Sequence, residues 1–311
     1  MLGTGIKLKI KTPTAIGFSK MAIIISASLY FIGCSDSDKA DYYKGDLRIG
    51  VDENLKPLLE PAFQVFENNS NGRYKTQTIY LPESQLFDSF NQHKIATIVS
   101  LRKLKDFEKM QFKAQNLYPI ETLFGADAVA LIANIQYKDS CLSIAQVKDL
   151  FSEKNNNTPI VFDNNGSSNI NFVLKELSLA KLTGQARALN SNEEVINYIT
   201  NKTGGIGVIG TAWLSNLSVS EQASVMRKIK FLKIKSESKA FGFVSADPSQ
   251  EHLIDSTYKL SRQMWVINRK QLGDAGSGFA SFIAGEIGQR IILKAGLMPL
   301  YPPGREIIIK R

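Results

Sequence analysis

Cysteine and histidine are nearly absent: 311 residues contain two of each, Cys34 and Cys141, His93 and His252. If Cys34 is engaged elsewhere, Cys141 stands alone, which excludes an intramolecular disulfide and any thiol-rich metal centre. The histidines sit in SFNQHKIAT and SQEHLIDST with no HxH, HExxH or CxxC companion, so no metal is expected and both read as ordinary helix or surface residues. No GxSxG elbow accompanies them, so an exported hydrolase would lack its nucleophile and base. No catalytic residue is nominated and no cofactor is expected. Dense Lys/Arg clusters are missing too, which argues against nucleic acid as a partner.

What the chain does have begins at its start. Lys7, Lys9, Lys11 and Lys20 precede the apolar run Met21–Gly33, which stops at Cys34. A basic segment, a short apolar run and a small residue before Cys match a bacterial secretion signal. The run is too short for a bilayer span, which needs roughly 20 residues. Cys34 stands where the lipobox of bacterial lipoproteins places its acylated cysteine, with Phe31 in place of the usual Leu. The alternatives are an ordinary cleaved signal or an uncleaved anchor. Four of the 38 bases and none of the 29 acids lie before Cys34, so the formal charge falls from +9 to +5 beyond it. That mild excess favours anionic ligands. Residues 34–44, SDSDKADYYK after the Cys, read as a flexible tether. The acids there resemble an export signal to the outer-membrane surface of Bacteroidetes; a plain solvated spacer is the other reading.

From Gly45 strands and helices alternate. DLRIGV is a strand, and Leu55, Leu58, Leu59, Phe63 and Phe66 then fall on one helical face. Pro57 and Pro61 leave that helix's start open. QTIYL and IATIVS read as strands around the helix SQLFDSFNQ, and ADAVALIAN as a fully buried strand. A second half follows: LSIAQVKDLFS as a helix, TPIVFD as a strand, NFVLKELSLAKL and EEVINYITNKT as helices. GGIGVIG, KIKFLKIKS and QMWVIN read as strands. Phe279, Phe282, Ile283, Ile287 and Ile291 form a closing helical stripe, and REIIIK a last strand or tail. The alternation argues for an α/β fold with parallel strands. GIGVIG satisfies GxGxxG, yet it follows a helix and is itself strand-like, so a dinucleotide site is set aside.

The segments RIGVDENLKPLLEPAF, IVSLRKLKDFE, VFDNNGSSN, TGGIGVIGTAWLS and GQRIILKAGLMPL, with the ADAVALIAN crossover, resemble in order and spacing the PstS-like phosphate-binding lipoproteins of Bacteroidetes. The resemblance implies a two-lobed type II periplasmic-binding-protein fold with the ligand cleft between the lobes. Residues 1–33 would be the signal, 45–125 with 265–311 one lobe, and 126–264 the other. It implies a non-enzymatic, exported, lipid-anchored protein, on the periplasmic face or the outer-membrane surface. Its partners would be a small anion such as phosphate and an inner-membrane ABC permease. A surface lipoprotein using the same fold for another ligand, sensing or adhesion is the alternative.

The candidate ligand residues lie in three strand-to-helix loops. Asp52, Glu53 and Asn54 follow the first strand, Ser100 and Arg102 follow IATIVS, and Gly166, Ser167, Ser168 and Asn169 follow TPIVFD. Such junctions aim backbone N–H groups at an anion, Gly166 allows close approach, and Arg102 offers a bidentate partner. The same residue types also serve as N-caps, and Arg102 also suits the surface. The family pattern is broken where Asp163 replaces an Arg, Ser168-Asn169 a Gly-Thr, and Leu101 an acid.

Overall fold

The computed structural model describes residues 45–302, apart from 156, 216–218, 239–241 and 271–272. The basic leader, Cys34, the tether and REIIIK lie outside the described residues. The first half runs β1 (Gly45–Asp52), a 3-10 turn (Glu53–Leu55), α1 (Lys56–Asn69), β2 (Tyr74–Leu81), α2 (Glu83–Asn91), β3 (Thr97–Ser100), α3 (Asp106–Ala114) and β4 (Ile120–Asn134). The second runs β5 (Cys141–Ser143), α4 (Ile144–Phe151), β6 (Ile160–Phe162), α5 (Ser168–Glu176), β7 (Ala186–Ala188), α6 (Asn192–Asn201) and β8 (Ile206–Gly210). Then come α7 (Ala212–Ser215), α8 (Val219–Met226), β9 (Ile229–Phe231), β10 (Lys233–Ser238), β11 (Gly242–Ala246) and α9 (Gln250–Ile254). The chain closes with β12 (Ser261–Asn268), α10 (Ala275–Ala284), α11 (Glu286–Lys294) and β13 (Met298–Pro299).

The main sheet has the order β2-β1-β3-β12-β4-β8-β6-β7. β1 is parallel to β2 and β3, and β6 is parallel to β7 and β8. These are the parallel sets that the alternation of strand and helix requires, because a parallel neighbour needs a crossover helix. The two sets meet at β4. Its first part, up to Ala128, pairs antiparallel with β12; its second part, from Val129, pairs antiparallel with β8 and β9. β4 therefore belongs to both lobes of a mixed α/β fold. Buried on every residue from Ala128 to Ala133, it carries the continuous apolar run that a strand covered on both faces needs.

Each set has its own apolar core. In the first, Leu58, Leu59, Phe63 and Phe66 of α1 are buried against β1 and α10, with the Phe63 and Phe279 rings 4.6 Å apart. Pro57 sits in the first turn, where its missing N–H costs no helical bond. In the second, Val147, Phe151, Val173 and Leu131 are buried in one cluster with Val208. Gly207 explains the glycine-rich strand: a Cβ there would lie 2.9 Å from Val195, Ile199 and Ile132 side-chain carbons, so glycine lets α6 settle on the sheet.

Three expectations are corrected. KIKFLKIKS is two strands: Leu232 is buried between them, β9 joins the main sheet on β4, and β10 joins a separate sheet with β11 and β5. The closing helix is broken at Gly285 into α10 and α11; Ile283 is buried but Ile287 is 46% exposed, so the stripe does not run through. The segment NFVLKELSLAKL is helical only to Glu176, with Ser178 already at φ 52°.

Candidate functional site

Two of the three nominated loops come together, and they come from opposite halves of the fold. Asp52 caps the turn after β1, its Oδ1 accepting from Asn54 N at 3.0 Å. This points Asn54 across to the start of α5. There the Asn54 amide donates to Asp163 Oδ2 at 3.0 Å and Ser168 Oγ at 3.1 Å, and lies 3.4 Å from Ser167 Oγ. Its carbonyl oxygen accepts from Asn169 Nδ2 at 2.7 Å and Asn192 Nδ2 at 3.0 Å. Ser168 Oγ donates back to Asp52 Oδ1 at 2.9 Å. Asp52, Asn54, Asp163, Ser167, Ser168 and Asn169 are each fully buried.

Local sequence explains the α5 end of this cluster. Ser167 is the N-cap, accepting from Asn169 N at 3.1 Å while its own hydroxyl donates to Asp163 Oδ2 at 2.7 Å. Capping and clustering are thus one arrangement. Gly166 has φ 83°, and a Cβ on it would lie 2.8 Å from Ser84 Oγ; its carbonyl accepts from Ser84 N at 3.1 Å, tying the loop to the start of α2. Glu53 accepts from the Asn164 side chain.

The floor is formed by the long central strands. Arg262 of β12 faces Asp127 of β4 in register, donating Nε to Oδ1 at 2.8 Å and Nη2 to Oδ2 at 3.1 Å. Nη2 also donates to Asn169 Oδ1 at 2.9 Å. A side chain at Gly210 would meet Asn54 and Arg262 at about the same place, its Cβ 3.4 Å from Asn54 Oδ1 and 3.5 Å from Arg262 Nη2. Sequence reasoning did not nominate Arg262, Asp127, Asn192 or Gly210, and it flagged Asp163 only as a departure.

Arg102 and Ser100 do not join the cluster. The Arg102 guanidinium is held by Glu108, with Nη1 to Oε2 at 2.8 Å and Nη2 to Oε1 at 3.0 Å, and by Glu83 Oε1 at 3.3 Å. It stacks 3.3 Å from the Phe87 ring centroid. A guanidinium with two carboxylates and an aromatic face in reach is already held by this chain, and it is not brought to the Asn54 cluster. Ser100 Oγ donates to Arg102 O at 2.8 Å and so shapes that turn. Glu83 also accepts from Asn171 Nδ2 at 3.1 Å, a second polar tie to α5. Leu101 is core.

The electrostatics are dominated by burial. Desolvation pushes the Asp52 carboxyl up to about 8, Arg262 opposing and Glu83 reinforcing the rise. Glu53 is pushed up to about 7, by burial first and then by the charge of Asp163. Burial works against the Arg262 charge, but Asp127 holds its pKa raised. Several buried atoms lack a partner: Asp52 Oδ2, Asp163 Oδ1, Asn192 Oδ1 and Arg262 Nη1. A cluster with open acceptors and one open cationic donor can bind a small polar solute. Neither histidine is bonded to it: His93 stacks on Phe112, and His252 Nδ1 meets Asp247 and Ser249. Among the described residues no group of His, Cys, Asp and Glu could hold a metal, and no helix is long and apolar enough to cross a membrane.

Two halves joined through long central strands, with strand-to-helix loops converging between them, define a two-lobed solute-binding fold. A model of the PBP superfamily domain matches residues 37–286, and the chain belongs to that family. Solved structures share the fold at low identity. One is a phosphate ABC transporter substrate-binding protein from Clostridium perfringens with bound phosphate, 17% identical, TM-score 0.67, covering 83% of this chain and 100% of the other. An ABC-type phosphate transport receptor from Vibrio cholerae is 15% identical, TM-score 0.61, over 81% and 99%. The CcmR regulatory domain of Synechocystis, in complex with 2-PG, is 14% identical, TM-score 0.52, over 78% and 96%. A search of the curated proteins finds no match.

Proposed function

We propose that this chain is an extracytoplasmic, lipid-anchored binding protein that captures a small oxyanion, phosphate first among candidates, for an ABC importer. The observation that carries the reading is the convergence of Asn54 with Ser167, Ser168 and Asn169 from opposite halves, over the Arg262 floor. These are uncharged donors at the start of a helix, which suits an anion. Below about pH 8 the buried Asp52 is a neutral acid, which removes one repulsive charge and supplies a donor. The solved relatives in phosphate transport support the same ligand. Lobes of 45–125 with 265–311 and 126–264 would hinge in β4 and β12. Gene products of a permease and an ATPase would be the partners, and no reaction would be catalysed.

Calorimetry of the full-length chain against phosphate, sulfate and molybdate tests the ligand. Phosphate is expected to bind and Ser167→Ala to weaken it by about 1–3 kcal/mol, the range for a hydrogen bond to a charged group. A second reading, a solute rich in N–H or O–H donors, is favoured by the open acceptors Asp163 Oδ1 and Asn192 Oδ1. Binding of a polyol or an amino acid, with no anion bound, would establish it instead.

The anchor is tested separately. Cys34→Ala is expected to abolish incorporation of labelled fatty acid and to release the protein from the membrane fraction. Labelling that survives the substitution would remove the lipoprotein reading.

A further inference from the structure

We propose that the Asp163 carboxylate is a built-in anion: it takes the place of the bound solute, closes the two halves without it, and competes with an incoming oxyanion. The competition rests on the oxyanion reading above; the closure does not.

The geometry around Asp163 is that of a bound oxyanion rather than of a structural ion pair. Its Oδ2 receives Ser167 Oγ at 2.7 Å, Asn54 Nδ2 at 3.0 Å and Asn192 Nδ2 at 3.4 Å. These donors come from three separate segments: the α5 cap, the turn after β1 and the start of α6. Among the described residues no cation is bonded to the carboxylate, and the bonds of Arg262 go from Nε and Nη2 to Asp127 and Asn169. A buried charge without a counter-ion must be held by converging uncharged dipoles, which is how an anion is gripped at a helix start. Asp163 lies one residue beyond β6 and five before Ser168, so its carboxylate falls at the α5 N-terminus.

Two further observations fit. Asn54 and Ser167 cannot give the same hydrogens to Asp163 and to an incoming oxyanion, so occupancy is exclusive at those donors. Glu53 is a close neighbour of the carboxylate: burial first, then the Asp163 charge and a side-chain hydrogen bond between the two carboxyls, push Glu53 up to about 7. The Asn54 contact crosses between the halves, so the carboxylate also does what a bound solute does in a two-lobed binding protein: it bridges the cleft.

The test uses the full-length chain, Asp163→Ala, and the isosteric Asp163→Asn as the variant that keeps the shape while removing the charge. Amide hydrogen exchange is read in residues 52–55 and 164–170 without solute, with β1–β3 as the control for folding. Phosphate affinity is read by calorimetry. The expected result is at least tenfold faster exchange of the two loops in Asp163→Ala, restored by millimolar phosphate, and phosphate binding at least tenfold tighter than in the wild type. Should Asp163→Ala unfold, as the control would reveal, Asp163→Asn decides by the same affinity criterion. Unchanged loop exchange in both variants would overturn the closure. Tighter phosphate binding by the wild type than by either variant would overturn the competition, make Asp163 an ordinary ligand contact, and leave the proposed function standing. Loosened loops with no phosphate binding by any of the three proteins would also overturn the competition, and with it the oxyanion reading, while supporting the closure.

Discussion

Arg262→Met is expected to destabilise the protein by about 3–5 kcal/mol, the usual cost of removing one partner of a buried ion pair. The pair has almost no access to water: side-chain exposure is 2% for Arg262 and 0% for Asp127. Two parallel hydrogen bonds, 2.8 and 3.1 Å, satisfy the carboxylate, and without the guanidinium its charge would be buried and uncompensated. Asn169 Oδ1 would lose a donor in the same step. The cost therefore comes from what is left behind more than from the pair's own attraction. That origin is checkable with the double variant Arg262→Met, Asp127→Leu, which removes both charges at similar volume. Most of the lost stability should return, measured as the midpoint and slope of urea unfolding. A single variant costing less than about 1 kcal/mol would mean that water reaches Asp127 and the floor is not dry.

The same pair shows why the fold was more legible than the site. Runs such as ADAVALIAN and QMWVIN announce strands because their apolar residues are local and continuous. The nomination of Asn54 and of the GSSN loop used equally local information, a strand end followed by a helix start. Arg262 and Asp127 carry no such mark. They are 135 positions apart and meet only because β12 and β4 pair in that register. Asn192 looks like any first residue of a helix until α6 is set beside β6 and the α5 loop. The surroundings of Arg102 were hidden for a related reason: the loop position suited an anion, but Glu83 lies 19 positions before it and Glu108 six after, and only the packing of α2 against α3 brings both to its guanidinium. The break at Gly285 was likewise invisible to helical periodicity. A Cβ at Gly288 would come within 2.2 Å of Ile283 O, so the close approach of α10 and α11 is set by a residue that periodic reading ignores.

Stability is expected to fall as pH rises from 5 to 9, and Asp52→Asn is expected to flatten that fall. Asp52 is an acid whose folded pKa, about 8, lies above its ordinary 3.8, because burial penalises the charged form before Arg262 or any hydrogen bond can help. The folded chain thus holds a proton that the unfolded chain has released, and in that window each pH unit removes up to about 1.4 kcal/mol. The contribution is fully present below pH 3.8 and is lost as pH climbs through 8. Glu53, raised from 4.5 to about 7, adds to the fall over its lower range. Groups with depressed pKa values, Glu67, Glu108, Asp247 and Asp255, act in the opposite sense but below their ordinary acid range, outside this window. Oδ1 of Asp52 already accepts from Asn54 N and Ser168 Oγ, which leaves the bare Oδ2 to carry the proton of the neutral acid. An Asn amide reproduces that neutral form: its oxygen keeps both bonds and its nitrogen replaces the protonated oxygen. Urea unfolding at pH 5, 7 and 9 should show the wild type losing about 2 kcal/mol or more across the range and the variant losing clearly less. Parallel pH profiles for the two proteins would mean that Asp52 ionises freely in the folded chain, and the neutral acid proposed at the centre of the site would have to be abandoned.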